Sequence, residues 1–540
     1  MHMLVIISSF MFFAYKRSVK ACQFFQQEGY AAWDFTKFIF HRFRFIDKRL
    51  SLCVLAYSIF SVGRKDYAID AAVLAALFAI FGLRHGNPLA KSRPKKKFEM
   101  TSRAKRILGL SLAIDLAIAW RLFGYLDDLS GAGLYCLCRV TGYLILFIQS
   151  LPFVLELANL LLSPVEHFIK RKYYNEARAK LEKLKPTVIG ITGSFGKTST
   201  KNILAHILGP SALATARSIN TLMGIVRVAR EELKPSHEYF IAEIGTSAPD
   251  KVAKICTLVR PRHAILTAVG NMHYAYFKSQ EAVAKEKFSI FETVREQGGV
   301  AVVNRTQVDG KYIKEFIGDY RNAAFLTQEK PDDASYGISD ARVARNGVEF
   351  KLAHEGKTWA LSAPVYGIHQ TKDIALAFIM ARSLGMASEK IVAALKTLPQ
   401  TRHRQEVIHR ADGITVVDDA YNSNVDGFVS ALETARIIAG KGRAILVTPG
   451  MLELGKLHDE YHIRAASKAL ETMDVTILVK PARIREFAET FRHGMKSGQE
   501  LVLANSYAEA EAWLKANQKK GDTLLYENDL ADVYEEEIRI

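Results

Sequence analysis

Residues 187–199 read Thr187-Val-Ile-Gly-Ile-Thr192-Gly193-Ser194-Phe195-Gly196-Lys197-Thr198-Ser199. The first six form a short, β-branched run of strand type, and Lys197 opens an amphipathic stretch of helix length. A glycine-rich turn between a buried strand and a helix N-terminus aims several backbone N–H groups at one point. Phosphate oxygens are held in such a setting, with Lys197 as a mobile positive charge and the Thr198 hydroxyl as a hard ligand for Mg²⁺. Gly193, Ser194, Phe195, Gly196, Lys197, Thr198 and Ser199 are therefore the candidate phosphate-binding residues. Gly190 stands six positions before Gly196 rather than five, so the strict GxxxxGK[ST] pattern fails and the shorter GxxGKT form applies. The bland alternative is a chance glycine-rich turn; Lys and Thr at their proper places weigh against it.

Outward from this turn the chain alternates strand and helix. Tyr239–Ile244, Ala264–Thr267 and Val300–Val303 are further short apolar runs, and residues 342–362 hold two alternating runs around Asn346-Gly347 and Glu355-Gly356. A second series follows at 414–417, 444–447, 475–479, 501–503 and 523–526. The pattern is α/β: a P-loop-type central domain on a parallel sheet at 186–400, with a small antiparallel insertion, then a C-terminal Rossmann-like domain at 401–540.

Residues 1–185 differ in composition. The chain has 73 Lys/Arg and 56 Asp/Glu, a net charge of +17; 28 of the bases but only 13 of the acids lie in this first third. The charge separates long apolar runs at 3–15, 50–62, 68–83, 107–126 and 133–162, several of them shorter than the ~20 residues of a straight span. Basic residues flank these runs, Lys16 to Arg49 and Arg84 to Arg106, as in membrane-flanking loops. The expectation is a transmembrane region at 1–163 with about five crossings, an outer N-terminus, a linker helix at 164–185, and everything beyond facing the cytoplasm. Met1–Tyr15 has no basic n-region and no small-residue cleavage site, which favours an uncleaved anchor over a signal peptide. Asp115, Arg121, Arg139 and Glu156 fall inside apolar runs and are either functional groups or structural pairs. This interleaving argues against nucleic acid as a partner. The five cysteines contain no CxxC pair, against a disulfide scaffold or zinc site. An apolar content of 49 % excludes disorder.

Several later segments resemble, in order, the motifs of the Mur ligase family, the ATP-dependent amide-bond-forming ligases of cell-wall precursor synthesis. Thr192–Ser199 resembles the family's nucleotide loop, Glu243-Ile-Gly-Thr its magnesium-binding glutamate, Gly270-Asn-Met-His273 its magnesium-binding histidine, and Ala284–Phe291 the segment whose lysine, here Lys287, is carbamoylated. Gly367-Ile-His369 resembles the G-x-H-N-x-x-N segment. His403-Arg404, Asp418-Asp419-Ala-Tyr421-Asn422-Ser-Asn424 and Pro449–Gly455 resemble the C-terminal signatures, and the D-D-x-Y-N-x-N form is most similar to the D-Ala-D-Ala-adding branch.

The resemblance implies an acyl-phosphate mechanism with ATP and, in all, two Mg²⁺. Lys197, His273, Lys287 and Arg404 would be catalytic. Thr198, Glu243, His273 and a carbamate on Lys287 would hold metal, and Asn304, His369 and Asp419 would join the loop in binding nucleotide. Taken singly, Glu243 reads equally as a helix cap, His273 as a core imidazole, Lys287 as a solvated lysine, and Asp418, Tyr421 and Asn424 as turn residues. Arg402 competes with Arg404. The chain departs from the family at Gln370 and Asp373, where amides are expected, at Arg305-Thr306 after Asn304, and at Thr221, where one of two asparagines is lost. A membrane region in place of a uridine-nucleotide domain points to a lipid bilayer partner and a lipid-linked cell-envelope acceptor, with an amino acid or dipeptide as donor. The alternatives are a poly-γ-glutamate, cyanophycin or folyl-polyglutamate type of ligase, a non-catalytic ATP-binding scaffold, and a transporter, disfavoured for want of an ABC-type signature.

Overall fold

The computed structural model describes residues 2–528 apart from 28, 42–45, 61–66, 86–97, 129–133, 217–218, 247–248, 271–276, 278, 329–331, 421–423 and 453. The chain forms two compact units that divide between Arg171 and Lys172.

The first unit is helical, with helices at His2–Gln27, Ala32–Phe40, Lys48–Phe60, Tyr67–His85, Ser102–Asp128 and Leu134–Leu161. Its core is aromatic. Phe10 stacks on Phe147 at 4.7 Å between centroids and meets Phe78 edge-on at 5.1 Å, and Phe25 packs on Phe35 at 4.5 Å. Three polar groups of this unit are tied down: buried Arg17 donates to the Ile148 carbonyl, Thr36 donates to Glu156 at 2.6 Å, and Arg106 pairs with Glu166 at 2.6 Å. Glu156 thus has a structural partner. Asp115 is buried, Arg121 is exposed, and the Arg139 side chain lies outside the described residues.

Five crossings and a multi-pass membrane location do not survive. Among the described residues one helical stretch, Thr141–Leu161, is long and apolar enough to cross a bilayer, with 21 residues and a mean hydropathy of 1.9. Three of the other apolar runs are embedded in helices that carry too much charge or are too short: His2–Gln27 includes Lys16, Arg17 and Lys20, Ser102–Asp128 includes Arg103, Lys105, Arg106, Asp115 and Arg121, and Lys48–Phe60 spans 13 residues. Each ionic group inside a bilayer is costly. The lipid-linked acceptor loses its support with that region.

The second unit carries two sheets. The first has nine strands in the order β2-β3-β1-β4-β5-β6-β7-β8-β9: β1 Thr187–Thr192, β2 Ala212–Ala214, β3 Tyr239–Glu243, β4 His263–Leu266, β5 Ala301–Asn304, β6 Ala323–Thr327, β7 Ser335–Ala344, β8 Gly347–His354 and β9 Lys357–Ala363. Strands β1 to β6 are parallel, and β6 pairs parallel with β7. β8 and β9 then run antiparallel as extensions of the same sheet. The expected insertion is thus the sheet's own edge. Alternation along the strands splits the core between two faces: Val188 and Phe240 join Phe288 and Phe291 on one side, while Ile189, Ile191 and Ile241 join Leu204 and Phe378 on the other.

The second sheet is ordered β10-β11-β15-β12-β13-β14, from β10 Glu406–His409, β11 Thr415–Asp419, β12 Ala444–Thr448, β13 Val475–Val479, β14 Glu500–Ala504 and β15 Thr523–Glu527. Only β10 is antiparallel to its neighbour. The architecture is α/β with mixed sheets. β2, β6 and β10 are strands the sequence reading did not list.

Candidate active site

Parallel strands finish at a common edge, and there the loops meet. Register pairs Ile191 of β1 with Glu243 of β3, and Thr192 with Leu266 of β4, so the glycine loop after β1, the Glu243 carboxylate and the segment after β4 are neighbours. The loop is pinned from the β4 side. Ser194 N–H donates to the Ala268 carbonyl at 2.9 Å, Gly270 N–H donates to Ser194 Oγ at 2.9 Å, and Thr267 Oγ1 donates to the Phe195 carbonyl. Its glycines are required: Gly193 and Gly196 have φ of +151° and +81°, and a Cβ on Gly193 would stand 2.0 Å from Thr267 Oγ1. Gly196 caps the Lys197–Leu208 helix with no side-chain hydrogen bond, which leaves the first amides of that helix for a ligand.

Lys197 Nζ is curled onto its own loop, 2.7 Å from the Gly193 carbonyl and 3.3 Å from that of Ser194. Thr198 Oγ1 donates to Glu243 Oε2 at 2.9 Å, and buried Lys201 donates to the same oxygen at 3.1 Å. Asn220 Nδ2 reaches Glu243 Oε1 at 3.3 Å, and the Glu243 N–H donates to Thr215 Oγ1 at 3.1 Å. Ser199 is buried behind the loop.

Lys287, on the helix Gln280–Phe288, is buried; burial first, then the nearby Lys197 ammonium, push its pKa down to about 7 against the pull of Glu286. Glu286 itself is occupied elsewhere. It accepts from the N–H groups of Asp250 and Val252, both at 2.8 Å, and so supplies the anion at the start of the Lys251–Val259 helix. His273 lies outside the described residues, as do Tyr421, Asn422 and Glu453.

Asn304 stands differently from its expected place on the nucleotide. Its Nδ2 donates to the Thr267 carbonyl at 2.9 Å and its Oδ1 accepts from the N–H and hydroxyl of Thr306, so both amide atoms are engaged in bracing the segment that pins the glycine loop. His369 is half-buried, with Nδ1 unpartnered and its pKa lowered to about 4 by burial and by the Arg404 and Lys372 charges. Asp373 packs behind Gly196: its Oδ1 accepts from Thr200 Oγ1 at 3.1 Å, its Oδ2 is unpartnered, and burial raises its pKa to about 7.

The second sheet contributes Arg404 and Asp419. The Arg404 charge acts on Lys197, His369, Asp373 and Asp419, pulling the pKa of each downward. Asp419 ends β11; burial raises its pKa, opposed by Arg404 and by hydrogen bonds from Gln405. Asp418 does turn work instead, accepting from the Ala420 N–H at 3.1 Å and from His403 at 2.8 Å. Asn424 caps the Val425–Ala439 helix by accepting from the Gly427 N–H at 2.9 Å. Arg402 is exposed.

Lys197, Thr198, Glu243, Lys287, His369, Arg404 and Asp419 are thus brought together. Sequence reading passed over Lys201, and it noted Asp373 only as a departure from an expected amide, whereas the structure packs it behind the loop. Loop glycines, uncapped helix amides, the orphaned His369 and Asp373 atoms, and paired hard oxygens on Thr198 and Glu243 fit a triphosphate and a divalent cation.

Two family models match the chain: the Mur ligase middle domain over residues 191–381, and the glutamate ligase domain of Mur ligases over residues 403–526. The two sheets are therefore the middle and C-terminal domains of a Mur-type ligase. The chain belongs to the Mur ligase family. The UDP-N-acetylmuramoyl-tripeptide--D-alanyl-D-alanine ligase of Mycobacterium leprae is 29% identical over 372 residues, 63% of this chain and 70% of that protein. The protein of the same name in Bacillus subtilis is 25% identical over 361 residues, 65% and 74% of the two chains. The crystal structure of the MurF ligase of Thermotoga maritima in complex with ADP shares the fold at a TM-score of 0.57 and 24% identity, covering 68% of this chain and 82% of that one.

Proposed function

We propose that this chain is an ATP-dependent ligase that joins D-Ala-D-Ala to the peptide carboxylate of a peptidoglycan precursor. The relatives' names supply the acceptor and donor, UDP-N-acetylmuramoyl-tripeptide and D-alanyl-D-alanine. One observation carries the chemistry: Lys197 and the Thr198–Glu243 pair stand at one strand edge, within reach of the Arg404 charge from the second sheet.

A carboxylate is a poor acyl donor because neither oxygen leaves. Its attack on the γ-phosphorus of ATP breaks the bond to ADP and forms an acyl phosphate; the free amine then attacks the acyl carbon, phosphate departs, and the nitrogen loses a proton. Residues 186–400 bind the triphosphate. The loop amides and Lys197, released from the Gly193 and Ser194 carbonyls, neutralise charge on the β- and γ-phosphates, and Arg404 from residues 401–540 clamps the transferring group. Bound Mg²⁺ would supply Lewis-acid stabilisation of those phosphates, held by Thr198 and Glu243, with a second ion on His273 and a carbamate at Lys287. Half-buried His369 faces the nucleotide as a neutral imidazole, and Asp419 accepts from ribose hydroxyls. Asn304 acts one step back, as the brace of the loop.

The test is ADP release from the purified full chain with UDP-N-acetylmuramoyl-tripeptide, offered D-Ala-D-Ala, Glu or Asp. Release that requires acceptor and D-Ala-D-Ala together, and is lost about 10²–10³-fold in Lys197→Ala with an unchanged circular dichroism spectrum, supports the assignment. Release driven by Glu or Asp refutes the D-Ala-D-Ala reading, and full turnover by Lys197→Ala refutes the phosphate role.

A further inference from the structure

Lys201 lies one turn beyond Lys197 on the Lys197–Leu208 helix, and its side chain is completely buried. Its ammonium is 3.1 Å from Glu243 Oε2, on a carboxylate only 1% exposed. The same oxygen accepts from Thr198 Oγ1 at 2.9 Å, and the other from Asn220 at 3.3 Å. A buried carboxylate without a compensating cation is strongly unfavourable, so in the protein alone Lys201 supplies the charge that Glu243 needs. An ion taken up by Thr198 and Glu243 would have to share an oxygen already committed to an ammonium, and like charges in a buried site repel strongly.

We propose that Lys201 is a resident counter-cation for Glu243, a positioning residue that holds the carboxylate in place before the metal arrives and keeps divalent binding weak until nucleotide phosphates are present. The inference rests on the reading of Thr198 and Glu243 as metal ligands. Its chemical consequence is ordered loading: the free protein resists a bare divalent ion and accepts one accompanied by a polyphosphate, whose negative charge offsets the extra cation.

Mn²⁺ binding to the metal-free full chain, followed by electron paramagnetic resonance with and without ADP, tests this. In the wild type, ADP should tighten Mn²⁺ binding at least about tenfold. In Lys201→Met, Mn²⁺ alone should bind at least about tenfold more tightly than in the wild type, the ADP effect should shrink, and the thermal midpoint, lowered in EDTA, should recover on adding Mn²⁺. Lys201→Gln, which keeps a polar side chain without the charge, should shift Mn²⁺ binding in the same direction and serves where the methionine variant does not fold in EDTA. Equal Mn²⁺ affinity in wild type and folded variants overturns the proposal, as does a wild type that binds Mn²⁺ equally with and without ADP. Mn²⁺ binding that survives Glu243→Gln undiminished instead overturns the metal-ligand reading beneath it.

Discussion

At the scale of single residues, the site is governed by what burial does to charge. Lys287 has its amine driven toward neutrality, since burial and the Lys197 ammonium both disfavour the proton and lower its pKa to about 7. Only the neutral amine adds CO₂, and the resulting carbamate would turn a repelling ammonium into an anionic oxygen ligand. The sign follows: above about pH 7 the amine is free to react, and below it the ammonium is inert. Protein stripped of CO₂ should regain ADP release on adding bicarbonate at pH 8 and regain progressively less as the pH falls below about 7, while Lys287→Arg should be inactive throughout. A bicarbonate response absent at every pH would remove the carbamate. Asp373 is shaped by the same force, because an Asp stands where the family has an amide and its acid, packed behind Gly196, is raised to about 7.

At the scale of elements, helix ends and strand ends are what aim these groups. The Lys251–Val259 helix has no acidic residue in its first turn, and Asp250 makes no side-chain cap. Glu286 from the Gln280–Phe288 helix serves instead, through two 2.8 Å bonds from main-chain N–H groups, and the same anchoring sets the helix that presents Lys287. Glu286→Ala should cost about 2–3 kcal/mol, because it removes a charged acceptor and strands buried donors. The urea midpoint of the full chain measures it. A change below about 0.5 kcal/mol would mean water replaces the carboxylate.

At the scale of the whole molecule, the second unit works by bringing one sheet's charge to the other sheet's loop. Gln405 joins the two: its Oε1 accepts from Thr434 Oγ1 at 2.9 Å and packs against Gly367. This holds the turn that carries Arg404, where His403 and Gln405 take positive φ of +58° and +50°. Arg404→Ala should lower kcat about 10²-fold or more with a smaller change in ATP affinity, since a clamp on a transferring phosphoryl group matters most in the transition state. An equal loss in ATP binding, read by calorimetry, would make Arg404 a ground-state contact instead.

Local order made much of this legible in the chain itself. Strands β1 and β13 have the limits their apolar runs suggest, and the glycine turn, Lys197 and Thr198 are neighbours in sequence, so short-range chemistry defines them. Glu243 was readable as the end of a strand, and parallel pairing does the rest. What pattern could not reach was set by distance along the chain. β2 has three residues at a sheet edge, too few for periodicity, and β7 to β9 look like a separate insertion until β6 is seen to pair with β7. The apolar runs of the first third imply lipid, yet charges beside them are satisfied within the protein across long sequence separations, Arg17 by the Ile148 carbonyl and Arg106 by Glu166. Lys201 and Asp373 enter the site through contacts spanning 42 and 173 positions. Sequence alone determined the α/β class of the second unit and the glycine turn between β1 and its helix, because both depend on periodicity and adjacent residues. Tertiary structure alone decided which buried charges face one another, because that depends on which distant segments the sheets bring to a single edge.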